Sequence, residues 1–349
     1  MPYTAVPDVS NRKIIKAGNI LISENNTIEE KLWAYELANQ WRACHAYPIN
    51  TFQSLLRKKI REGNYKGHPI VAQRLKRMPT IIDKLKRYPN MNLFTMQDIG
   101  GLRAVVSSIN EVYELRNTYF NCPFAHELID EKDYIKYPRS EDGYRSIHLI
   151  YKYINKRNPN YDGLRVEFQI RTLLQHLWAT AVETMGTFLG QALKSRQGNQ
   201  DWLDFFALVS SAFSYMEKTP QIPRYLGLSQ KETSIEISKI NKKLGVVEKM
   251  SGLSTAVHLL SNKKGSSYYL IILNSLEKSV EMYSYDRQGL EYALNDYKEY
   301  EKKVLYGEKI EPVLVSAGKI DDVRKAYPSF FLDIFQFLQH VENLIKDID

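Results

Sequence analysis

Two carboxylates and a group of cations have the types and spacing that phosphate-transfer chemistry needs. Such chemistry requires cations around a polyphosphate, carboxylates for magnesium and a base beside the attacking hydroxyl. The segment LRVEFQIRT at 164–172 alternates with a period of two, which puts Val166, Phe168 and Ile170 on one face and Glu167, Gln169 and Arg171 on the other. One face is apolar and the other carries an acid, an amide and a cation, as in an active-site strand; an exposed sheet face would carry the same pattern. Asp98 stands in FTMQDIGGLRAVV, where Gly100 and Gly101 let the chain turn tightly. A carboxylate there suits a metal, and an Asp before two glycines also suits a turn. Arg103, at the start of the next strand, offers a planar guanidinium to a base.

The cations are Arg74, Lys76, Lys84 and Arg87 in QRLKRMPTIIDKLKR. On a helix, or on a loop entering one, Lys76, Lys84 and Arg87 lie near one face and can converge on phosphates. A third cluster, KDYIKYPRSEDGYRSIHLIY, interleaves Lys132, Arg139, Tyr144, Arg145 and His148 around a Pro- and Gly-bearing loop. Aromatic and basic side chains so mixed can stack a base while holding phosphates. His148 taken alone would equally serve as a structural residue.

The elements that must position these groups are read from periodicity. Helices are expected at 28–46, where Ile28, Leu32, Tyr35 and Ala38 follow helical spacing, at 51–62 and at 70–88. Strands follow at 102–107, 144–154 and 164–172, then helices at 173–195 and 201–218. The proline-bearing stretch at 218–227 ends a first domain of residues 1–225. A linker helix over 226–265, broken at Gly245, leads to a smaller α/β module at 266–349 with its own core. Its strands are expected at 268–274, 278–285 and 311–316, and its helices near 288–304 and 329–347.

Composition narrows the function classes. A 44% hydrophobic and 25% charged chain of 349 residues is globular and long enough for two domains. Cys44 and Cys122 have no CxxC partner, which argues against a disulfide framework or structural zinc and leaves free thiols. No stretch reaches the ~18 apolar residues of a membrane span, and the N-terminus lacks a signal-peptide core, so a cytoplasmic location is expected. The formal charge is +8, but residues 52–90 alone carry eleven Lys or Arg against Glu62 and Asp83. Such a block, including Lys58, Lys59 and Arg61, faces polyanions or forms a solvated helix face.

In order and content these motifs resemble the RelA/SpoT synthetase domain, over roughly 30–218: RxK with a downstream Lys and Arg, DIGGLR, KDYI, GYRSIH and VEFQIRT. The resemblance implies an α+β fold, a mixed sheet flanked by helices, and an ATP-dependent pyrophosphokinase. It implies that Arg74 and Arg103 sandwich the adenine of ATP while Lys76, Lys84 and Arg87 hold its phosphates. Asp98 and Glu167 would bind Mg2+, with Glu167 also taking the proton of the attacking hydroxyl. Lys132, Arg139, Tyr144, His148 and Gln169 would contact the acceptor, Tyr144 by stacking on its base. The absence of a His-Asp dipeptide implies that the hydrolase half of the long family members is missing.

One departure is the loop RSED between Pro138 and Gly143, one residue longer than the common pattern and bearing two acids, an awkward host for a guanosine diphosphate. The segment RKAYPSFFLDIFQFL resembles the last helix of CapRel-type fused toxin and antitoxin proteins, in which a YxxY motif plugs the ATP site. The corresponding residues here are Tyr327 and Phe330. The leading expectation is therefore an autoinhibited toxin that pyrophosphorylates the 3′ CCA end of tRNA, with Lys58, Lys59 and Arg61 tracking the tRNA backbone and a phage protein as trigger at the C-terminal module. The alternatives are a (p)ppGpp synthetase acting on GDP or GTP, and an inactive sensor of nucleotides or a phage protein.

Overall fold

The computed structural model describes residues 3–120, 125–189, 193, 199–260, 266–274, 279–306, 308, 310–316 and 330–346. The chain divides into two compact units, one of Met1–Ile135 with Arg145–Leu173 and one of Lys136–Tyr144 with Leu174–Asp349.

The first unit opens with three helices, α1 (Asn11–Ile22), α2 (Ile28–Cys44) and α3 (Ala46–Glu62). A reciprocal cap starts α2: the Glu30 N–H donates to the Thr27 hydroxyl, and the Thr27 N–H donates to the Glu30 carboxylate. The helix buries Ala34, Leu37, Ala38, Trp41 and Cys44. Ile28, Leu32 and Tyr35, expected to point inward, are instead 79%, 59% and 46% exposed. Ala38, the fourth residue of that spacing, is buried together with Ala34.

Strand β1 (Ile70–Leu75) and helix α4 (Met78–Arg87) replace the single helix expected over 70–88. Ile70, Val71 and Ala72 enter the sheet, and Pro79 in the first turn of α4 pre-sets the backbone angle that starts the helix. Then come β2 (Gly100–Val106), α5 (Ile109–Phe120), β3 (Glu127–Asp133), β4 (Ile147–Lys152) and β5 (Arg165–Thr172). Helices α1 and α5 and strand β3 were not anticipated; β3, with sequence ELIDEKD, is too acidic to read as a strand.

The sheet order is β1-β2-β5-β4-β3. Only β2 and β5 run parallel; the other neighbours are antiparallel, so the sheet is mixed. The α+β architecture of a mixed sheet flanked by helices is thus as expected. Leu102, Ala104, Val106, Val166, Phe168, Ile170, Ile147 and Leu149 are buried on one face, in a core shared with the helices.

The second unit contains α6 (Leu173–Phe188), α7 (Gln200–Glu217), α8 (Gln230–Leu244), α9 (Val246–Leu260), β6 (Tyr268–Asn274), β7 (Ser279–Tyr285), α10 (Leu290–Leu305), β8 (Ile310–Ser316) and α11 (Phe330–Lys346). Its antiparallel sheet has the order β7-β6-β8. The expected break between α8 and α9 is at Gly245, whose φ of 61° is the left-handed conformation of a helix stop. The division of the chain is not at 225. Phe337 of α11 packs against Phe206 and Phe213 of α7, with ring centroids 6.2 and 6.1 Å apart. His176 of α6 and Asp333 of α11, both buried, meet at 3.3 Å. The reason is legible in α7, which is buried nearly all round from Phe205 to Ser214 and needs partners on several sides.

Candidate active site

Strand register assembles the site in the first unit. Opposite the apolar face, Arg74 of β1 pairs with Gly101 of β2, which pairs with Glu167 of β5, which pairs with Ile150 of β4. The next row runs Ala72, Arg103, Gln169, His148 and Lys132. Side chains alternate across a strand, so Arg74, Arg103, Glu167, Gln169, His148 and Lys132 share one face. Gly101 leaves a gap between Arg74 and Glu167: a Cβ built there meets only the backbone oxygens of Arg74 and Glu167, at 3.8 and 4.0 Å.

Asp98 precedes β2 in a turn, and the Lys76 N–H donates to the Ile99 carbonyl at 2.8 Å, which carries Lys76 to the same place. Helix α4 turns Met78, Ile81 and Leu85 into the core and thereby aims Lys84 along its flank. Lys76 Nζ and Lys84 Nζ both donate to Asp98 Oδ2 at 2.8 Å. Asp98 Oδ1 is buried with no hydrogen-bond partner. Burial pushes the Asp98 carboxyl up, but the two ammonium groups outweigh it and hold it well below the usual carboxylate range. Burial pulls Lys76 below the ordinary lysine value, against the opposing pull of Asp98.

Glu167 is held at both oxygens: His148 Nδ1 lies 3.0 Å from Oε1, and Gln169 Nε2 donates to Oε2 at 2.7 Å. Burial and the nearby Asp98 raise its carboxyl, yet His148 and Gln169 prevail and keep it below the usual range. At neutral pH it is ionised, which suits a cation ligand better than a proton acceptor. Tyr134 packs edge-on to His148 at 5.3 Å. Tyr134 was not anticipated as a site neighbour, although it lies within the KDYI motif.

Other expected residues have different surroundings. Arg87 is tied to Asp83 within α4 at 2.8 Å, so only Lys76 and Lys84 of the three phosphate cations converge. Lys76 lies before α4, on the segment that enters that helix, which is the second of the two expected placements. Lys132 pairs with Asp130 at 3.3 Å. On α3, Lys58 faces Glu62 at 3.8 Å and Arg61 is exposed, while Lys59 donates to the Thr118 carbonyl at 2.8 Å and lies over the Tyr119 ring.

The loop Lys136–Tyr144 belongs to the second unit. Arg139 pairs with Asp142 at 2.9 Å and lies over the Tyr144 ring at 4.6 Å. The buried Asp142 also accepts from the Tyr144 N–H at 3.0 Å. One of the two loop acids is therefore an internal brace. Gly143 has φ 71°, and a Cβ there would press on Ile222 at 2.5 Å and Ser210 at 2.9 Å. Tyr327 and the side chain of Phe330 lie outside the described residues, as does Cys122. Cys44 is a free, buried thiol that burial pushes up to about 12.

Among the described residues no group of three or more His, Cys, Asp or Glu could hold a metal. Two carboxylates, one with an unpartnered buried oxygen, do fit a Mg2+ ion that brings phosphate oxygens with it. Asp98 and Glu167 would hold such an ion, which would neutralise charge on the transferring phosphates.

Residues 73–186 match the family model described as a region found in RelA / SpoT proteins. This stretch is similar to that region. It contains every site residue discussed above on the strands, on α4 and in the Lys136–Tyr144 loop. The GTP pyrophosphokinase YjbM of Bacillus subtilis is 32% identical over 121 residues, covering 34% of this chain and 56% of the relative. The GTP pyrophosphokinase YwaC of Bacillus subtilis is 32% identical over 126 residues, covering 33% and 57%. The chain thus spans little more than half the length of these relatives. Small alarmone synthetase 1 from Bacillus subtilis, solved with its product pppGpp, is 24% identical with a TM-score of 0.44, covering 54% of this chain and 94% of that one. No described helix is long and apolar enough to cross a membrane.

Proposed function

We propose that the chain is an ATP-dependent pyrophosphokinase whose acceptor is a guanosine nucleotide. The observation that carries this reading is Asp98, clasped by Lys76 and Lys84 on one oxygen and open on the other, beside the ionised Glu167. The relatives named GTP pyrophosphokinases support the acceptor. The acceptor's ribose oxygen attacks the β-phosphorus of ATP, the bond from that phosphorus to the α-phosphate breaks, AMP leaves and the hydroxyl proton passes to a base. Arg74 and Arg103 flank the donor base, Lys76 and Lys84 take the phosphates, and Asp98 with Glu167 takes Mg2+. His148, Gln169 and Lys132, one row along, face the acceptor.

A second acceptor, the 3′ CCA end of tRNA, is favoured by the exposed Arg57, Lys58 and Arg61 on α3. On that reading the chain is a toxin acting on translation, held off by Tyr327 and Phe330 and released by a phage protein. Incubation with γ-labelled ATP, Mg2+ and either GDP, GTP or tRNA separates the readings. Label in the guanosine nucleotide is expected; label in tRNA, with a steep salt dependence removed by Lys58→Glu with Arg61→Glu, establishes the second reading. No transfer to any acceptor leaves the sensor reading.

A further inference from the structure

Lys76, Lys84 and Asp98 together carry one net positive charge in a mostly buried site, with both ammonium groups on a single carboxylate oxygen. Even with Glu167 beside it the trio carries no net negative charge to draw in a free divalent cation, and its two ammonium groups attract a polyanion. A triphosphate offers the two lysines stronger, more numerous oxygen partners than one shared carboxylate oxygen. Once they leave, the charge of Asp98 is no longer offset and both its oxygens can take a cation, Oδ1 being without a hydrogen-bond partner already.

On the pyrophosphokinase reading, we propose that Lys76 and Lys84 act as an exchangeable clasp on Asp98: the triphosphate draws the lysines away and thereby creates the divalent-cation site that the reaction uses. The two residues are then more than phosphate ligands. They make metal binding conditional on nucleotide, because a protein with only Asp98 and Glu167 to offer supplies too few oxygens to hold Mg2+ by itself. The clasp also explains why Asp98 remains ionised at a buried position: its two cations offset the cost of burial. By linkage, nucleotide tightens metal as much as metal tightens nucleotide.

The test is Mn2+ binding to the full chain, read from the electron paramagnetic resonance of the free ion, with and without a non-hydrolysable ATP analogue. Wild type is expected to bind Mn2+ weakly alone and roughly 5- to 150-fold more tightly with the analogue, the usual range for coupled sites. Lys84→Met should raise the affinity for Mn2+ alone by about tenfold while weakening the analogue, so the coupling shrinks from both ends. Arg87→Met removes the same charge from the same helix without touching Asp98 and should leave Mn2+ binding within about twofold. Lys84→Gln is the second variant, and thermal melting confirms that each is folded. If Lys84→Met and Arg87→Met change Mn2+ affinity equally, or Lys84→Met leaves it unchanged, the clasp is overturned while the nucleotide site stands. If wild type binds no analogue at any Mn2+ concentration, the pyrophosphokinase reading itself is lost.

Discussion

Strands β5 and β6 each occupy the centre of a sheet, and they use that place differently. Along β5, Val166, Phe168 and Ile170 are buried among apolar neighbours while Glu167 and Gln169 turn to the opposite face and bond to each other and to His148. Along β6, Tyr269, Leu270, Ile271 and Ile272 are buried in succession, so both faces are covered. A strand covered on both faces can only hold a core together. A strand apolar on one face leaves the other for ligands, and its polar side chains fix one another before any ligand arrives.

The largest effect expected from this contrast is at Glu167. Glu167→Gln should lower pyrophosphate transfer by about two to four orders of magnitude. Its melting temperature should hardly fall, since an amide of the same shape can still accept from His148 or Gln169. Turnover and melting measured on one preparation check it; a large drop in melting temperature with turnover kept would make the polar face structural. The converse is expected on β6. Ile271→Ala should cost about 2–5 kcal/mol of stability through the cavity it leaves, as read by chemical denaturation, with the turnover of the folded fraction unchanged.

The same contrast accounts for what was legible in the sequence. The shared polar face of Glu167 and Gln169 was legible because a period of two is written directly into LRVEFQIRT. The convergence of Lys76 and Lys84 was expected from a helix or a loop entering one, and the two meet from the segment between β1 and α4 and from α4 itself. Local spacing cannot show that Lys76 reaches Asp98 through a hydrogen bond to Ile99, since that contact joins residues far apart in the chain. Ile28, Leu32, Tyr35 and Ala38 share helical spacing, but only Ala38 of the four is buried, alongside Ala34, Leu37, Trp41 and Cys44, because spacing alone does not say which face meets a neighbour. β3 was missed because its stability comes from its neighbour β4 and from Arg116, whose guanidinium grips Glu131 at 2.6 Å, rather than from its own residues.

On the apolar side of β2, a smaller effect is expected with pH. His45 is fully buried, its Nδ1 lies 2.7 Å from the Trp41 carbonyl, and burial lowers its pKa from 6.5 to about 4. The folded state therefore resists a proton that the unfolded chain accepts. Stability is complete above about 6.5, falls as the pH drops from there toward about 4, and loses no more from this group below that. The loss amounts to about 3 kcal/mol. Denaturation across that window checks it, and His45→Asn, which keeps a donor for the Trp41 carbonyl but cannot titrate, should flatten the slope. An unchanged slope in that variant would assign the acid sensitivity to other groups.

The adjacent glycines of β2 bring the comparison down to single residues. Gly100 faces the apolar side, where an added Cβ would lie 3.0 Å from Ile49 and 3.3 Å from His45. Gly101 faces the polar side, where an added Cβ meets only two backbone oxygens at ordinary contact distance. Neither glycine has a positive φ, so backbone conformation does not demand glycine at either position. Gly100 is small because its neighbours are close. Gly101 is small, on the proposed function, because a planar base lies over it between Arg74, its partner in the same row on β1, and Arg103, one row along β2. Gly101→Val should therefore keep or raise the melting temperature, a branched residue being better suited than glycine to a strand. It should weaken an ATP analogue by roughly tenfold, the loss of a base stack being worth about 1–3 kcal/mol. Gly100→Ala should do the reverse, lowering the melting temperature with analogue affinity unchanged. Calorimetric titration and melting of the two variants side by side check both, and equal analogue affinity in Gly101→Val and wild type would move the base away from β2.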